Sequence, residues 1–231
     1  MMIVNSARFV VATTDPYRSY VKLLLQPAAG DVSIIDYSPS PKAVTNNGAT
    51  LGASSWTGYQ GFSVTGGANV SLADSADWVM DQDLAIDIVA RGTTFPASWA
   101  LFGQGSDSTH WQAFWGTNAN SMEFYTSGAG ADLAFSPSLS AATRYHWKIA
   151  RKGSAWGLYL AGSRVATATN SAAAGDYAAS LKIGTGRWDS GGFNFSGDFS
   201  LFRWTLGSSR GLDPATATTC EDLVASGPAP M

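Results

Sequence analysis

Short runs of strand-forming residues, separated by turn-forming residues, constrain the fold of this chain more than any other feature. The runs are rich in β-branched and aromatic residues, and clusters of Gly, Pro, Asn, Asp and Ser lie between them. About a dozen short strands with no long helix between them indicate a sandwich of two antiparallel sheets. We predict strands at residues 20–26, 61–64, 69–72, 84–90, 99–102, 111–115, 122–126, 133–135, 144–150, 156–160, 164–169, 181–183 and 195–204.

Alternation within the runs assigns side chains to faces. Tyr145, Trp147 and Ile149 share one face of their strand, which places His146 on the opposite face. Residues 156–160 and 164–169 predict a hairpin, because a short Gly-containing connection joins them. We expect six tryptophans in strand-like alternation to be core residues: Trp99, Trp111, Trp115, Trp147, Trp156 and Trp204.

Composition agrees with one large all-β domain. A single sandwich routinely contains ~200–250 residues, and this chain has 231. Charged residues are 13% of the sequence, about half the usual ~25%, and 9 Trp, 11 Phe and 8 Tyr argue against disorder and against a helical bundle. We therefore predict one domain over residues 15–231, with residues 1–14 as an edge strand or an arm that docks on a partner.

Two features near the C-terminus predict a short helix. Asp213 is a good N-cap and Pro214 suits the first helical position, so the helix would run through Leu223 and contain Cys220 as a small core residue. Cys220 is the single cysteine, which excludes a disulfide within the chain.

Charge and hydropathy exclude several classes of partner. The net charge is −3 and the basic residues are scattered, so we expect no nucleic acid. No apolar run approaches the ~18–20 residues of a membrane span. Asn5, Ser6 and Arg8 interrupt the N-terminal apolar stretch, so we expect no signal peptide and assembly in the cytoplasm.

Several segments occur in a recognisable order between Asp15 and Pro214. They are DPY at 15–17, DYSP at 36–39, VTNNG at 44–48, GGANVSLADSADW at 66–78, SPSLSAATRYHWKIARKGSAWGLYLAGSRVA at 136–166, LKIG at 181–184 and GGFNFSGD at 191–198. This order resembles the concanavalin A-like, or laminin-G-like, jelly roll related to the pentraxins, especially as carried on bacteriophage virion proteins. The resemblance covers most of the chain and implies an all-β, two-sheet antiparallel jelly-roll sandwich. The chain departs from it at the central hairpin, where Ala161-Gly162 replaces a frequent Asp-Gly.

The resemblance also implies carbohydrate binding. Proteins bind sugars by stacking aromatic rings on the sugar's apolar face, while nearby polar side chains bond its hydroxyls. Two segments offer such residues, and our candidate glycan-binding residues are Arg187, Trp188, Asp189 and Asn194 in a Gly-rich loop, with Trp56 and Tyr59 in a second segment.

Calcium binding is left open. Pentraxin-like relatives hold calcium just after the Ile-Gly strand end, where this chain has an arginine and the single carboxylate of Asp189. That is a poor cage for an ion that takes six to eight oxygen ligands. Two loops at the sandwich rim could still build a Ca2+ site, and Asp189 is its best candidate.

Catalysis is not expected. Glucanases on this fold need paired carboxylates, but Glu123 and Glu221 are the only glutamates and lie in separate segments. His110 and His146 are the only imidazoles, and no Gly-x-Ser-x-Gly elbow accompanies them.

These observations favour a non-catalytic virion structural or decoration protein. Its lectin-like sandwich would contact phage capsid or tail proteins and host-surface polysaccharide, and absent disulfides agree with assembly in a reducing host cytoplasm. Analogy with such proteins predicts a homo-oligomer, with a trimer as the simplest case. The alternatives are a free or enzyme-associated carbohydrate-binding module and, less favoured, a glucanase-type glycoside hydrolase.

Overall fold

The structure is a computed structural model that describes residues 15–54, 56–105, 111–126, 132–171, 176–186 and 193–226. These residues form strands, two single-turn 3-10 helices (Arg18–Tyr20 and Ala76–Trp78) and a short helix α1 (Leu223–Ser226). The strands are β1 (Val21–Leu25), β2 (Val44–Asn47), β3 (Thr50–Ala53), β4 (Gln60–Val64), β5 (Asn69–Leu72), β6 (Leu84–Thr94), β7 (Trp99–Gly105), β8 (Trp111–Asn118), β9 (Ser121–Tyr125), β10 (Leu133–Phe135), β11 (Arg144–Lys152), β12 (Ala155–Leu160), β13 (Ser163–Thr169), β14 (Leu181–Ile183) and β15 (Ser196–Leu206).

The strands build two antiparallel sheets, which confirms the predicted jelly-roll sandwich. The eight-stranded sheet has the order β13-β12-β11-β6-β15-β4-β3, and β1 also pairs with β15. The seven-stranded sheet has the order β10-β9-β8-β7-β14-β5-β2. Every predicted strand coincides with an observed one, and only β2 and β3 were missed. Their sequences, VTNN and TLGA, lack the apolar alternation that predicts a half-buried strand.

Aromatic side chains fill the space between the two sheets. Trp99, Trp147, Trp156 and Trp204 are fully buried, as predicted. Phe102 on β7 meets Trp204 on β15 edge to face, with ring centroids 5.7 Å apart. Burial of each large apolar side chain contributes roughly 1.5–3 kcal/mol, so contacts of this kind hold the sheets together.

A C-terminal segment, residues 208–226, returns over the outer face of the eight-stranded sheet. Asp213 begins only a turn, in which its carbonyl accepts from the N–H groups of Thr216 and Ala217. The chain then pairs with the hairpin, because the N–H of Arg164 donates to Thr218 O and that of Cys220 to Gly162 O. A short C-terminal helix is present, as predicted, but it begins at Leu223 and not after Asp213, because the backbone at Thr218 and Cys220 bonds to the hairpin of the sheet. Cys220 therefore lies outside the helix and is half-buried.

The hairpin between β12 and β13 turns at Ala161 and Gly162. Their φ angles are 46° and 80°, the pattern of a type I′ turn. A Cβ on Gly162 would lie 3.1 Å from Cys220 O, so glycine suits both the turn and the close approach of the C-terminal segment.

Helix α1 has four residues, and no helix in the described part of the chain is long and apolar enough to span a membrane.

Candidate functional site

The Gly-rich loop predicted to bind glycan is described only at its base. Arg187, Trp188 and Asp189 lie outside the described residues. At the base, Thr185 Oγ1 donates to Asn194 Oδ1 at 3.0 Å, and the N–H of Gly186 donates to Phe193 O at 2.9 Å. The side-chain oxygen of Asn194 is thus engaged in closing the loop.

The second predicted segment lies on the other sheet. Trp56 is 8% exposed and packs over the outer face of the eight-stranded sheet, beside residues such as Val89 and Leu201. Tyr59 is half-buried and meets Trp56 edge to face, with ring centroids 6.3 Å apart. The Trp56 ring is therefore part of a covering layer, and the structure does not bring it together with Asn194. Glycan binding by the candidate residues stays a prediction.

A different group of aromatic residues lies beside the loop base, on the outer face of the seven-stranded sheet. We call Trp115, Glu123, Tyr125 and Phe193 the aromatic patch. The Trp115 ring stacks on Phe193 with centroids 4.6 Å apart and meets Tyr125 edge to face at 5.2 Å. Small neighbours, Ala100 and Ala113, flank Trp115 on this face.

Trp115 is a buried core residue, as predicted, but it packs in a small cluster on the outer face of the sheet and not between the two sheets. Its neighbour Phe114 occupies the inner face of β8, which turns Trp115 outward. On the same strand, the polar residue Gln112 is buried on the inner side, where its amide donates to Trp78 O at 2.9 Å. The side chain of Trp111 lies outside the described set.

Glu123 orients the two polar aromatic residues of the patch. Its Oε2 accepts from Trp115 Nε1 at 3.0 Å and from Tyr125 OH at 2.6 Å. Hydrogen bonds to a carboxylate are short and strong. The carboxylate therefore fixes both rings and itself remains half-buried at the surface.

Amide and hydroxyl groups occupy the same outer face at its other end. Asn47 Nδ2 donates to Asn69 Oδ1 at 2.9 Å and to Ser71 Oγ at 3.0 Å. These uncharged groups can exchange hydrogen bonds with sugar hydroxyls. The outer face of the seven-stranded sheet thus combines ring faces with amides.

The opposite outer face holds a buried charged network around Asp87. Arg203 donates to Asp87 Oδ2 through Nη2 at 2.8 Å and Nε at 3.1 Å. Lys148 Nζ lies 3.1 Å from Asp87 Oδ1. His146 lies opposite Tyr145 and Trp147, as predicted, but it is buried and its Nε2 is 3.1 Å from the same oxygen. The N–H of Leu223 donates to His146 Nδ1, so the ring proton lies on Nε2 and is donated to Asp87.

The network holds Asp87 in its ionised form. Burial by itself raises the pKa of this carboxyl, but Arg203, Lys148 and His146 outweigh burial and hold the pKa well below its usual range. In contrast, burial raises the pKa of the nearby Cys220 thiol to about 11, so the thiol stays protonated.

Metal ligands and paired glutamates are not brought together in the described residues. No group of three or more His, Cys, Asp or Glu side chains in these ranges is placed to hold a metal ion. Asp189 and His110 lie outside these ranges, so a calcium site at Asp189 stays a prediction. Glu123 belongs to the aromatic patch, whereas Glu221 lies on the C-terminal segment over the other sheet.

No protein-family model and no curated protein matches this sequence. Solved structures do match. Domain 4 of AbnA, a GH43 extracellular arabinanase from Geobacillus stearothermophilus solved with arabinotriose, has a TM-score of 0.62 and 18% identity, over 84% of this chain and 95% of that chain. The binding domain of botulinum neurotoxin serotype D/C has a TM-score of 0.64 and 12% identity, over 86% of this chain and 51% of that chain.

A structure of botulinum neurotoxin type C, described as entering cells through two ganglioside molecules, has a TM-score of 0.61 and 12% identity and matches over 86% of this chain and 50% of that chain. This chain therefore spans about half the length of the neurotoxin chains it matches. At such low identity the similarity shows the fold, a β-sandwich of the jelly-roll type.

Proposed function

We propose that this chain is a non-catalytic carbohydrate-binding sandwich and that the aromatic patch is its binding surface. The observation that carries the proposal is the arrangement of Trp115, Tyr125 and Phe193 around Glu123, on the outer face beside the predicted glycan loop. Tyr125 and Phe193 are half-buried and offer ring surface on which a sugar can stack, whereas Trp115 is 9% exposed and packs against both rings. The carboxylate of Glu123 can accept hydrogen bonds from sugar hydroxyls. The patch and the loop that contains Trp188 would then act as one surface.

The structural neighbours support this proposal. The arabinanase domain was solved with arabinotriose, and the match covers nearly all of it. A sandwich of this size can therefore serve as a binding module attached to a larger protein. The neurotoxin similarity points the same way, because that toxin's entry depends on gangliosides.

The positions of the two glutamates support a non-catalytic role. A retaining glycosidase needs its carboxyl groups ~5–5.5 Å apart and an inverting one ~6.5–9.5 Å apart. Glu123 and Glu221 lie over opposite sheets of the sandwich. Glu123 also holds two aromatic donors, which suits an orienting residue.

On the biological setting, we propose a virion component that adheres to host-surface polysaccharide. The order of sequence segments resembles phage-borne jelly rolls, and the single cysteine suits assembly in a reducing cytoplasm. The chain would act as a homo-oligomer, such as a trimer, attached to a capsid or tail protein. A second candidate is a module tethered to an enzyme, which the full-length match to the arabinanase domain favours.

A glycan experiment tests the binding surface. Arabinotriose and an array of bacterial surface polysaccharides would be tested against the wild type, Glu123→Gln and Trp188→Ala, each with calcium and with a chelator. We expect saturable binding that both substitutions weaken by about tenfold, which is 1.4 kcal/mol. Binding that both variants retain would place the site elsewhere, and no binding to any glycan would contradict the proposed function.

A second experiment separates the two settings. Mass spectrometry of purified phage particles from the source of this chain would detect it at a fixed stoichiometry if it is a virion component. Absence from particles, together with linkage to a catalytic polypeptide, would favour the enzyme-associated module. Light scattering on the purified chain would test the trimer.

A further inference from the structure

A cavity of about 230 Å³ lies between the outer face of the eight-stranded sheet and the C-terminal segment. Asp87, His146, Lys148 and Arg203 line it from the sheet, and Arg210 lines it from the segment. A single buried water needs only about 10–15 Å³ of such volume. The cavity is therefore large enough for a small organic molecule.

Two guanidinium groups that line the cavity each have an unused donor. Arg203 is 3% exposed, and its Nη1 is buried with no hydrogen-bond partner in the described part of the protein. Nη1 of Arg210 is likewise buried and lacks a partner among these residues. The other nitrogens are engaged, because Arg203 bonds Asp87 and Arg210 Nη2 donates to Asp15 at 2.9 Å. A buried unpaired donor on a charged group costs at least about 1–3 kcal/mol, so both sites favour an acceptor.

The backbone at Arg210 adopts an energetically costly conformation. Arg210 has a φ of 55°, in the left-handed region that a non-glycine residue rarely adopts. Its guanidinium also lies over the Tyr17 ring, 5.2 Å from the centroid. The turn and the ring together place a cation at the wall of the cavity.

The charges on the cavity floor leave room for one negative charge. Arg203 and Lys148 both pair with Asp87, and His146 takes part as a neutral donor, so the floor has one more positive than negative charge. Arg210 is balanced by Asp15. Two carboxylates of the C-terminal segment lie nearby. Glu221 lines the cavity with an exposed side chain, and Asp222, whose side chain is 26% exposed, lies with Oδ1 3.9 Å from His146 Nδ1. Solvent weakens the effect of both charges on the buried floor.

We propose that this cavity binds the carboxylate group of a small molecule. A carboxylate supplies one negative charge and two acceptor oxygens, which match the excess charge and the two unused guanidinium donors. The site is separate from the aromatic patch, which lies on the other sheet. The inference therefore does not depend on the proposed function.

Calorimetric titration at constant ionic strength tests this proposal with three probes: acetate, glucuronate and glucose. Glucuronate and glucose differ at the carboxylate, so we expect binding of acetate and glucuronate and none of glucose. Glucuronate at least tenfold tighter than acetate would identify an acidic sugar as the natural source, and similar affinities would identify a free small carboxylate. Glucose binding as tightly as glucuronate, or no carboxylate binding with a Kd below about 10 mM, would overturn the proposal.

Variants locate the binding. Arg210→Asn removes the guanidinium while asparagine tolerates the positive φ, and Lys148→Gln removes the excess charge while keeping a donor for Asp87. We expect each to weaken acetate binding by about tenfold. Arg91→Gln is the control, because Arg91 pairs with Asp198 on the same sheet outside the cavity. Equal affinity in all four proteins would overturn the assignment, as would inorganic phosphate or sulfate binding more tightly than the carboxylates.

The thiol that lines the cavity gives a second measurement, which does not require a variant. Cys220 is the single cysteine, so its reaction with a neutral maleimide reports on the cavity alone. Saturating acetate should slow this reaction at least about twofold, and glucose should not. A reaction rate that acetate leaves unchanged would contradict binding in this cavity.

Discussion

The two outer faces of this sandwich differ in what covers them and in how their polar groups are satisfied. On the face of the eight-stranded sheet, beneath the C-terminal segment, Asp87 forms direct ion pairs with Arg203 and Lys148 and accepts a hydrogen bond from His146. The face of the seven-stranded sheet carries the aromatic patch and the uncharged amides of Asn47 and Asn69. Its carboxylate, Glu123, accepts hydrogen bonds from Trp115 and Tyr125.

This difference assigns different chemistry to each face. Buried charges attract a charged ligand but make the face intolerant of substitution, because each ion depends on the others. Rings and amides at a surface bind neutral ligands such as sugars through stacking and hydrogen bonds. The following predictions test the contrast.

The largest effect is expected at Asp87. Asp87→Asn leaves Arg203 and Lys148 buried without a counter-charge, so the free energy of unfolding should fall by about 3–5 kcal/mol. Urea denaturation monitored by tryptophan fluorescence measures it. Added acetate should restore part of the loss, because the variant has more uncompensated positive charge in its cavity.

Asp198→Asn is the matched control, since Asp198 also pairs with an arginine on this face. Arg91 is 41% exposed in that pair, so the loss should be about 1 kcal/mol or less. Similar losses in the two variants would show that the network around Asp87 does not act as a buried unit.

Acid should weaken this face in a defined pH range. Because the folded-state pKa of Asp87 lies well below the ordinary 3.8, its contribution is fully present above pH 3.8 and is lost as the pH falls through the folded pKa. The stability difference between wild type and Asp87→Asn should therefore stay constant from pH 7 to about pH 4 and shrink below it. Urea denaturation of both proteins across this pH range measures the stability difference. A difference that already decreases near pH 6 would contradict the low pKa of Asp87.

Local patterns were enough to predict most of the fold, but not the partners across strands. The alternation around Trp147 placed His146 on the outer face because a strand has a fixed period of two. Nothing local shows that Asp87, Lys148 and Arg203 meet, since register joins residues 61 and 116 positions apart. The burial of Gln112 could not be predicted for the same reason, because its partner, Trp78 O, comes from a distant segment.

Two tyrosines with equivalent hydrogen bonds test whether glycan binding is restricted to one outer face. Tyr125 OH donates to Glu123 and Tyr37 OH donates to Asp31, each at 2.6 Å, on opposite outer faces. Substitution of either by phenylalanine should cost about 1.5–3 kcal/mol, because a hydrogen bond to a charged group is lost. Tyr125→Phe should also weaken glycan binding severalfold, whereas Tyr37→Phe should not. Equal effects of the two substitutions on glycan binding would contradict the proposal that the aromatic patch is the binding surface.

The smallest effect is expected at the turn that attaches the C-terminal segment to the eight-stranded sheet. Ala161 is exposed and has a φ of 46°, a conformation that costs an ordinary residue about 1–2 kcal/mol but that asparagine adopts readily. Ala161→Asn should therefore raise the free energy of unfolding by up to about 1 kcal/mol, and Ala161→Val, with a branched side chain at the same φ, should lower it. If the turn limits how firmly the segment is held, Ala161→Asn should also slow the reaction of Cys220 with maleimide. A stabilised protein with an unchanged reaction rate would show that the C-terminal segment is held by the Asp87 network and not by the turn.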